Sequence, residues 1–249
     1  MAQKSILTRC VRRVRRFFRK PIRVFCLHHI SESWDPMICP KIDWTSEKYF
    51  KDNIEELRKE FTFINLQTAY QKIQNDSIRL KKYAVLTFDD GYASILQSLH
   101  WLDSKGIPYT LFLNGRYLDG YSYSPGVKDW MVEHGVDFIN QDLLAGFYIS
   151  ETKLASLSQT TCSIGSHGYD HIDATTMTTE EFAWQLQNNR DVLSQYHNFI
   201  PFHAYTFGKH NDSTNKVLKD YGFIPVLIDG EDNESPASLI HRRLFQINH

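Results

Sequence analysis

Short runs of apolar residues alternate with stretches of helical periodicity along most of the chain. Apolar runs bounded by turn residues are typical of buried strands, and apolar positions three and four apart are typical of helices. The strand pattern occurs in seven segments, at residues 22–28, 61–64, 83–88, 109–113, 161–166, 202–207 and 223–228. The helical pattern occurs in five segments of the same part of the chain, at residues 46–60, 66–74, 93–104, 179–196 and 213–221.

This alternation predicts a parallel β-sheet covered by helices, an α/β fold. The number of repeated units favours a closed barrel over a small open sheet. With 249 residues the chain has a length that one barrel domain can account for. Residues 116–147 are rich in Gly, Tyr and Ser, and we interpret them as an inserted loop region.

The segment that precedes the first predicted strand has a different pattern. From Ser5 to Lys20, apolar residues recur at helical spacing and arginines fill most of the other positions, until Pro21 ends the run. This pattern predicts a basic amphipathic helix, a structure that binds flat on anionic membrane surfaces. The alternative is a solvated arm that packs one edge on the domain.

Charge supports a division between this arm and the rest of the chain. The net charge is −1, but nine of the 28 basic residues and none of the 29 acidic ones lie within residues 1–23. The remainder therefore carries ten more acidic than basic residues. An acidic body disfavours phosphate binding, and no nucleic-acid motif accompanies the arm, so we expect no nucleic-acid partner.

The cysteines indicate the cellular compartment. Cys10, Cys26, Cys39 and Cys162 show no CxxC spacing and are too few for a disulfide framework, which predicts reduced thiols. We see neither a secretory signal nor an apolar stretch long enough to span a membrane. We therefore expect a cytoplasmic protein, with peripheral attachment to the inner face of the cytoplasmic membrane through the arm as a further hypothesis.

Two adjacent carboxylates follow the strongest predicted strand. Asp89 and Asp90 come directly after residues 83–88, and Gly91 allows a positive φ behind them. In parallel βα folds, active sites collect at the carboxyl ends of the strands. Adjacent side chains diverge there, so one carboxylate can bind a metal while the other faces water. An Asp-Gly turn without catalytic function is the alternative.

Two histidines follow another predicted strand. His167 comes after residues 161–166, and His171 lies four positions on, so a helical turn between them would let both imidazoles face one point. Two histidines and one carboxylate form a frequent ligand set for catalytic Zn²⁺. Either motif alone could be accidental, and their joint occurrence after two strands indicates a metal-dependent active site.

Four segments resemble one known family. Thr87–Gly91 (TFDDG) and Ser166–His171 (SHGYDH) resemble the first two signature motifs of the polysaccharide deacetylase family, also called NodB-homology or carbohydrate esterase family 4. His203–Gly208 (HAYTFG) is similar to the Phe-Ala-Tyr-Pro-Tyr-Gly stretch of one branch. Phe25–Ile30 (FCLHHI) resembles the Tyr-His-x-Ile/Val opening of the branch typified by biofilm poly-N-acetylglucosamine deacetylases. The resemblance covers about residues 22–249.

The resemblance implies a distorted (β/α)7 barrel over residues 22–249, with residues 1–21 as the basic arm. It also implies Asp90, His167 and His171 as the ligands of a divalent metal. Zn²⁺ is the expected ion, and Co²⁺, Ni²⁺ or Fe²⁺ suit the same donor set.

The resemblance also implies catalytic roles. Asp89 is expected to be the general base that activates water, and His28 the general acid, with His249 as the other candidate for the acid. The backbone around Tyr205 and Phe207 is expected to contact the substrate and help bind the oxyanion of the reaction.

The implied activity is removal of acetyl groups, and of N-acetyl groups in particular, from a glycan or a lipid-linked glycan precursor. An O-acetyl esterase and a carbohydrate-binding pseudoenzyme on the same fold are the alternatives. The pseudoenzyme stays open because Thr206 replaces a Pro of the motif, and Ala204 stands where other branches carry an Arg that steadies the base. A haloacid-type phosphatase is disfavoured, since it would need Asp-x-Asp and Asp89 and Asp90 are adjacent.

Overall fold

The computed structural model describes residues 20–34, 39, 41–75, 80–119, 147–231, 233 and 237–245. The expected helix of the basic arm, most of the inserted loop region, and His249 lie outside these residues.

The described residues contain ten strands. Their bounds, in chain order, are β1 Ile22–Leu27, β2 His29–Ser31, β3 Trp44–Ser46, β4 Phe61–Phe63, β5 Lys82–Phe88, β6 Tyr109–Leu113, β7 Cys162–Ser166, β8 Phe199–Ala204, β9 Ile224–Ile228 and β10 Ile240–Leu244.

The same residues contain six α-helices, several of which begin at a capping side chain. Ser46 accepts a hydrogen bond from the backbone of the first helix, and Thr178 forms a capping box with Glu181 at the fifth. The helices are α1 Glu47–Glu60, α2 Leu66–Gln74, α3 Leu96–Ser104, α4 Glu151–Ala155, α5 Thr179–Leu193 and α6 Asp212–Asp220.

Seven parallel strands close into a barrel. Hydrogen bonds connect them in the order β1, β10, β9, β8, β7, β6 and β5, and β5 pairs again with β1. The short β4 pairs with the first residues of β5, while β6 pairs with its last residues, so both use the same edge of β5. The register shifts between β7 and β8, and β1 meets β10 through only two residue pairs. This architecture confirms the expected distorted (β/α)7 barrel.

Helices cover the outside of the barrel through their apolar faces. In α1 the buried side chains are Phe50 and Ile54. The ring of Phe50 lies 6.3 Å from Phe88, 6.2 Å from Trp101 and 5.7 Å from Phe245, measured between centroids. One aromatic cluster thus joins a helix to the strand that precedes the two carboxylates. Among the described residues, no helix combines the length and the apolar character needed to span a membrane.

Four strand assignments differ from the sequence expectation, and two of them are the short strands β2 and β3, which were not predicted. The predicted strand at residues 202–207 lies at Phe199–Ala204, because Thr206–Gly208 forms a 3-10 turn in which Phe207 has a φ of 57°. Strand β10 was not predicted, since the sequence Ile-His-Arg-Arg-Leu has three polar residues in five and no apolar run.

The aromatic cluster around Phe50 provides a test of the packing. Phe50 is fully buried, so Phe50→Ala is expected to lower the free energy of unfolding by about 3–5 kcal/mol in urea denaturation. Leu80→Ala is the control, because Leu80 is 77% exposed and its removal should change stability by less than about 0.5 kcal/mol. Similar losses in the two variants would contradict this role of Phe50.

Candidate active site

The loop after β5 directs its two carboxylates to different sides. Asp90 has a φ of 67° and Gly91 a φ of 73°, so the chain turns sharply as it leaves the strand. A Cβ at position 91 would lie 2.7 Å from a methyl group of Leu113, which explains the need for glycine there. Both carboxylates are buried, and they contact different partners. Asp90 approaches two histidines, and Asp89 approaches an arginine.

The loop after β7 carries His167, and the buried side-chain amide of Asn114 holds this loop by hydrogen bonds. The side-chain NH₂ of Asn114 donates to the carbonyl oxygens of His167 and Gly168, at 2.7 and 2.9 Å. The backbone N–H of His167 donates to the carbonyl of Leu113 at 3.0 Å. The turn is therefore fixed to the end of β6. These bonds define the backbone position from which the His167 imidazole projects.

The rest of this loop is fixed by α5. The side-chain oxygen of Gln185 accepts hydrogen bonds from the backbone N–H groups of Tyr169 and Asp170, at 2.9 and 2.8 Å. The carboxylate of Asp170 accepts from Gln185 at 2.9 Å and from Arg116 at 2.7 Å. These bonds shape the turn that brings His171, which has a φ of 54°, back toward His167.

Asp90, His167 and His171 converge on one point. Asp90 Oδ1 lies 3.0 Å from His167 Nε2 and 2.8 Å from His171 Nε2, and all three ligand atoms lie within 4.8 Å of one another. Even so, Asp90 Oδ1 is buried without a well-aligned hydrogen bond. A buried oxygen left in this state costs free energy, so the three side chains do not satisfy one another. A divalent cation among them would satisfy all three, and the residues therefore fit a metal ion.

Hydrogen bonding and charge prepare two of these ligands for metal binding. His167 Nδ1 lies 2.8 Å from the carbonyl oxygen of Ala204, which can only accept, so the proton sits on Nδ1 and Nε2 offers its lone pair. Burial alone would raise the pKa of Asp90, but the neighbouring His171 and His167 outweigh burial and hold this pKa well below its usual range. Asp90 is therefore a carboxylate at neutral pH.

The second carboxylate forms a buried ion pair with β10. Arg242 Nη1 and Nη2 donate to Asp89 Oδ1 and Oδ2 at 2.6 and 2.8 Å, a bidentate arrangement. Arg242 is 1% exposed, and its Nη1 also donates to Thr87 Oγ1 at 3.1 Å. Burial raises the pKa of Asp89, but the charge of Arg242 outweighs burial and leaves this pKa below its ordinary value. Asp89 is therefore ionised at neutral pH.

Arg242 was missed in the sequence analysis, which noted only that Ala204 lacks the arginine found in other branches. In the structure an arginine contacts the carboxylate from a different strand, two strands away from Ala204 in the barrel order. A weak signal was present in the sequence, because Arg242 alternates with Ile240 and Leu244 in a possible strand. A buried arginine at such a position requires a carboxylate partner.

His28 lies beside Asp89, at the end of β1. Ligand atoms of Cys26, His28 and Asp89 all lie within 4.8 Å of one another. His28 Nδ1 is 3.8 Å from Asp43 Oδ1, and burial raises the pKa of Asp43 while His28 partly opposes that shift. The neighbouring His29 stacks on an aromatic ring, and burial lowers its pKa to about 3. His28 is thus the histidine of this pair that lies next to Asp89.

Tyr205 and Phe207 occupy different environments. The ring of Tyr205 is buried, and its hydroxyl donates to Asn215 at 2.9 Å, on the side of α6. The ring of Phe207 is 58% exposed and lies 4.9 Å from the ring of His171. Phe207 therefore lies at the rim of the metal ligands, whereas Tyr205 can approach a substrate only through its backbone.

Three residues other than glycine have a positive φ in the described part of the chain, and all three belong to this site. They are Asp90, His171 and Phe207, with φ values of 67°, 54° and 57°. Such conformations cost about 1–3 kcal/mol each and persist only where the surroundings enforce them. Their concentration around one point supports a functional site.

Comparisons with known proteins agree with this geometry. A family model described as polysaccharide deacetylase matches residues 77–226, a stretch that includes Asp89, Asp90, His167 and His171. The chain belongs to the polysaccharide deacetylase family. Among curated proteins it is 19% identical over 207 residues to YxkH of Bacillus subtilis, covering 82% of this chain and 63% of that protein. The chain thus spans less than two thirds of this relative.

Solved structures show the same fold. IcaB from Ammonifex degensii is 20% identical, with a TM-score of 0.67, and the match covers 91% of this chain and 92% of that one. The Streptococcus pyogenes deacetylase PplD, solved in complex with acetate, is 16% identical with a TM-score of 0.72, over 92% of this chain and 93% of that one. At these identities the likeness establishes the barrel alone, and the description of the site in this chain depends on its own residues.

The buried ion pair gives a test by substitution. Arg242→Lys keeps the charge but replaces the planar fork by a single ammonium group, so one of two parallel bonds is lost. A hydrogen bond to a charged group contributes about 1.5–3 kcal/mol, and a loss of that size is expected in urea unfolding at neutral pH. Arg58→Lys is the control, because Arg58 pairs with Glu55 only on the exposed surface of α1 and the change should alter stability by less than about 0.5 kcal/mol.

The pH dependence of stability follows from the same pair. Because the folded-state pKa of Asp89 is lowered, the contribution of the pair is present above the unfolded pKa of about 3.9 and is lost as pH falls through the folded value. The difference in stability between the wild type and Arg242→Lys should therefore narrow below about pH 4. A difference that stays constant into acid would show that the pair is not responsible.

Proposed function

We propose that this protein is a metal-dependent hydrolase that removes N-acetyl groups from a glycan or glycan precursor. Residues 22–249 would form the deacetylase domain and residues 1–21 a separate basic arm. The observation that carries the proposal is the convergence of Asp90, His167 and His171 on one point, with the ionised Asp89 beside them. Membership of the polysaccharide deacetylase family supports glycan deacetylation.

In this proposal Asp90, His167 and His171 hold the cation. One carboxylate oxygen and two imidazole nitrogens suit Zn²⁺ and leave positions open for water and substrate, and Co²⁺, Ni²⁺ or Fe²⁺ accept the same donors. Such an ion, when bound, polarises the acetyl carbonyl and makes water more acidic. The loops described above position its three ligands before binding, so little reorganisation is required.

Asp89 takes the proton of the attacking water. A carboxylate offers about four lone-pair positions. Arg242 occupies one on each oxygen and the Cys26 thiol a second on Oδ2, so Oδ1 keeps capacity to accept a proton. The guanidinium also fixes the orientation of the carboxylate. A base held in this way can accept a proton without first rotating, which favours transfer in the transition state.

His28 donates a proton to the leaving amine. Amide cleavage requires this step because an unprotonated amine leaves poorly, and an imidazole suits it near neutral pH. His28 is close to Asp89, and its Nδ1 lies 3.8 Å from Asp43 Oδ1, so Nε2 is the proposed donor. His249 stays the other candidate for the acid.

The turn after β8 is proposed to contact the substrate. Its residue Phe207 lies next to the proposed metal ligand His171, and the backbone N–H groups around Tyr205 and Phe207 are proposed to stabilise the oxyanion as it develops. The exposed ring of Phe207 adds an apolar surface at the rim. The ring of Tyr205 contributes packing on the opposite side.

Two other functions fit the same fold. A carbohydrate-binding pseudoenzyme would not need a buried ionised carboxylate beside a three-ligand cluster, and an Arg–Asp pair of this kind disfavours it. An O-acetyl esterase would use the same residues. Acetate release from an N-acetylated glycan oligomer and from an O-acetylated glycan, with and without a chelator, separates the three activities.

Two substitutions test the assigned roles. Asp89→Asn is expected to lower acetate release by about 10²–10⁴-fold while the metal content is retained, because it removes the base but no ligand. His167→Ala is expected to lose both activity and metal. Metal content is measured by plasma mass spectrometry on the purified protein.

The controls for this experiment are Asp191→Asn and His197→Ala, two exposed residues of the same types, which should retain both properties. A His167→Ala variant with a full complement of metal and normal activity would show that the ligand assignment is wrong.

We further propose that the basic arm attaches the protein to the inner face of the cytoplasmic membrane. Its apolar positions and its eight basic residues within residues 1–21 support binding to anionic lipid, where the enzyme would meet a lipid-linked precursor. The acidic remainder of the chain opposes binding to nucleic acid.

Flotation with vesicles tests the arm. The full chain is expected to float with vesicles that contain phosphatidylglycerol and to remain behind with neutral phosphatidylcholine vesicles. Replacing Arg12, Arg13, Arg15 and Arg16 by Gln in the full chain removes about 1 kcal/mol of attraction each, so binding should fall at least about 100-fold. Equal flotation of the two proteins would discard the proposal.

A further inference from the structure

A second cluster of ligand-type side chains lies next to the first. Cys26, His28 and Asp89 each place one candidate ligand atom within 4.8 Å of the other two. In the described residues this is one of two such groups, the other being Asp90, His167 and His171. The proposed mechanism gives roles to His28 and Asp89 but none to the thiol.

The barrel brings these three residues together through strand register. Cys26 lies in β1 and His28 directly follows its last residue, two positions further on, so the extended backbone places both side chains on the same face. In the parallel pairing of β1 with β5, Leu27 lies opposite Phe88, and the N–H of Asp89 donates to the carbonyl of Leu27 at 3.0 Å. Asp89 is thereby placed alongside the last residues of β1.

The donor set matches the preferences of zinc and cobalt. Sulfur, imidazole nitrogen and carboxylate oxygen are all ligands that Zn²⁺ takes in tetrahedral sites. The Cys26 thiol donates a hydrogen bond to Asp89 Oδ2 at 3.5 Å, a separation close to that of two ligand atoms on one ion, and a cation between them would replace the thiol proton. The partial exposure of His28 leaves room for water as a fourth ligand.

We propose that Cys26, His28 and Asp89 form a second site for a divalent cation, which fills when metal exceeds one equivalent. The proton of the Cys26 thiol leaves to solvent when the sulfur binds the ion, so the site gains a thiolate. Because the ion would engage both the proton acceptor and the proton donor, its binding inhibits deacetylation; this consequence rests on the proposed function.

Arg242 makes this site weaker than the first. Its guanidinium donates to both oxygens of Asp89, so a cation bound to this carboxylate lies near a fixed positive charge. In the described part of the chain no arginine forms an ion pair with Asp90, which faces His167 and His171 instead. The first ion is therefore expected to bind at Asp90, and the second only in excess.

The other described cysteines do not share this environment. Cys162 is buried at the beginning of β7, and neither it nor Cys39 belongs to a three-ligand group among the described residues. Cys162→Ser is therefore a matched control for Cys26→Ser, since each removes one buried thiol from a barrel strand.

Cobalt provides a readout that does not depend on turnover. The metal-free full chain is titrated with Co²⁺ while bound metal is counted by equilibrium dialysis. The first equivalent is expected to give no thiolate-to-cobalt charge-transfer band, because the Asp90 site has no sulfur. The second equivalent is expected to produce this band in the near ultraviolet.

The variants decide the assignment. Cys26→Ser should lose the band, and Cys162→Ser should keep it. Absence of the band in the wild type, or its persistence in Cys26→Ser, would overturn the proposal.

Zinc tests the inhibition separately. Acetate release, expressed relative to the value of each protein at one equivalent, should fall with excess Zn²⁺ in the wild type and in Cys162→Ser, but much less in Cys26→Ser. Equal inhibition of Cys26→Ser and the wild type would overturn the inhibitory role. If no protein releases acetate, the proposed function fails, whereas the cobalt spectra still decide whether the second site exists.

Discussion

The burial of two adjacent carboxylates at the mouth of the barrel is the constraint on which the rest of the site depends. Asp89 and Asp90 are both buried. A lone negative charge is strongly disfavoured in a buried environment. Each therefore requires its own positive partner. Asp89 has the guanidinium of Arg242, and Asp90 faces two imidazoles that suit a cation. The separation of the two partners gives the two carboxylates different environments, which is the basis of the roles proposed for them as proton acceptor and metal ligand.

The barrel meets this requirement by using several strands at once. The carboxylates follow β5, the imidazoles follow β7, and the arginine lies in β10. The supporting bonds come from neighbouring elements, because Asn114 holds the turn at His167 and the carbonyl of Ala204 fixes the tautomer of this histidine. The positive φ values of Asp90 and His171 are strained backbone conformations. They persist because the hydrogen bonds of the surrounding loops hold the backbone in place.

Much of this arrangement could be predicted from the sequence. Asp89, Asp90, His167 and His171 are recognisable because each pair is contiguous or nearly so and directly follows an apolar strand. The alternation of strands and helices predicted the barrel for the same local reason. Arg242 could not be assigned, since its partner lies 153 positions away and its strand has no apolar run. The 3-10 turn at Phe207 was also missed, because an aromatic residue with positive φ contradicts local preference and is enforced by tertiary contacts.

The position of Arg242 on the last strand of the barrel also bears on how the enzyme is made. During translation on the ribosome, the strands that carry the carboxylates and the imidazoles emerge before β10 does. Until β10 inserts between β1 and β9, Asp89 lacks its counter-charge and the ring of strands stays open. The proposed metal ligands are therefore all synthesised before the arginine that orients the proposed base, so the complete site requires the last strand of the barrel.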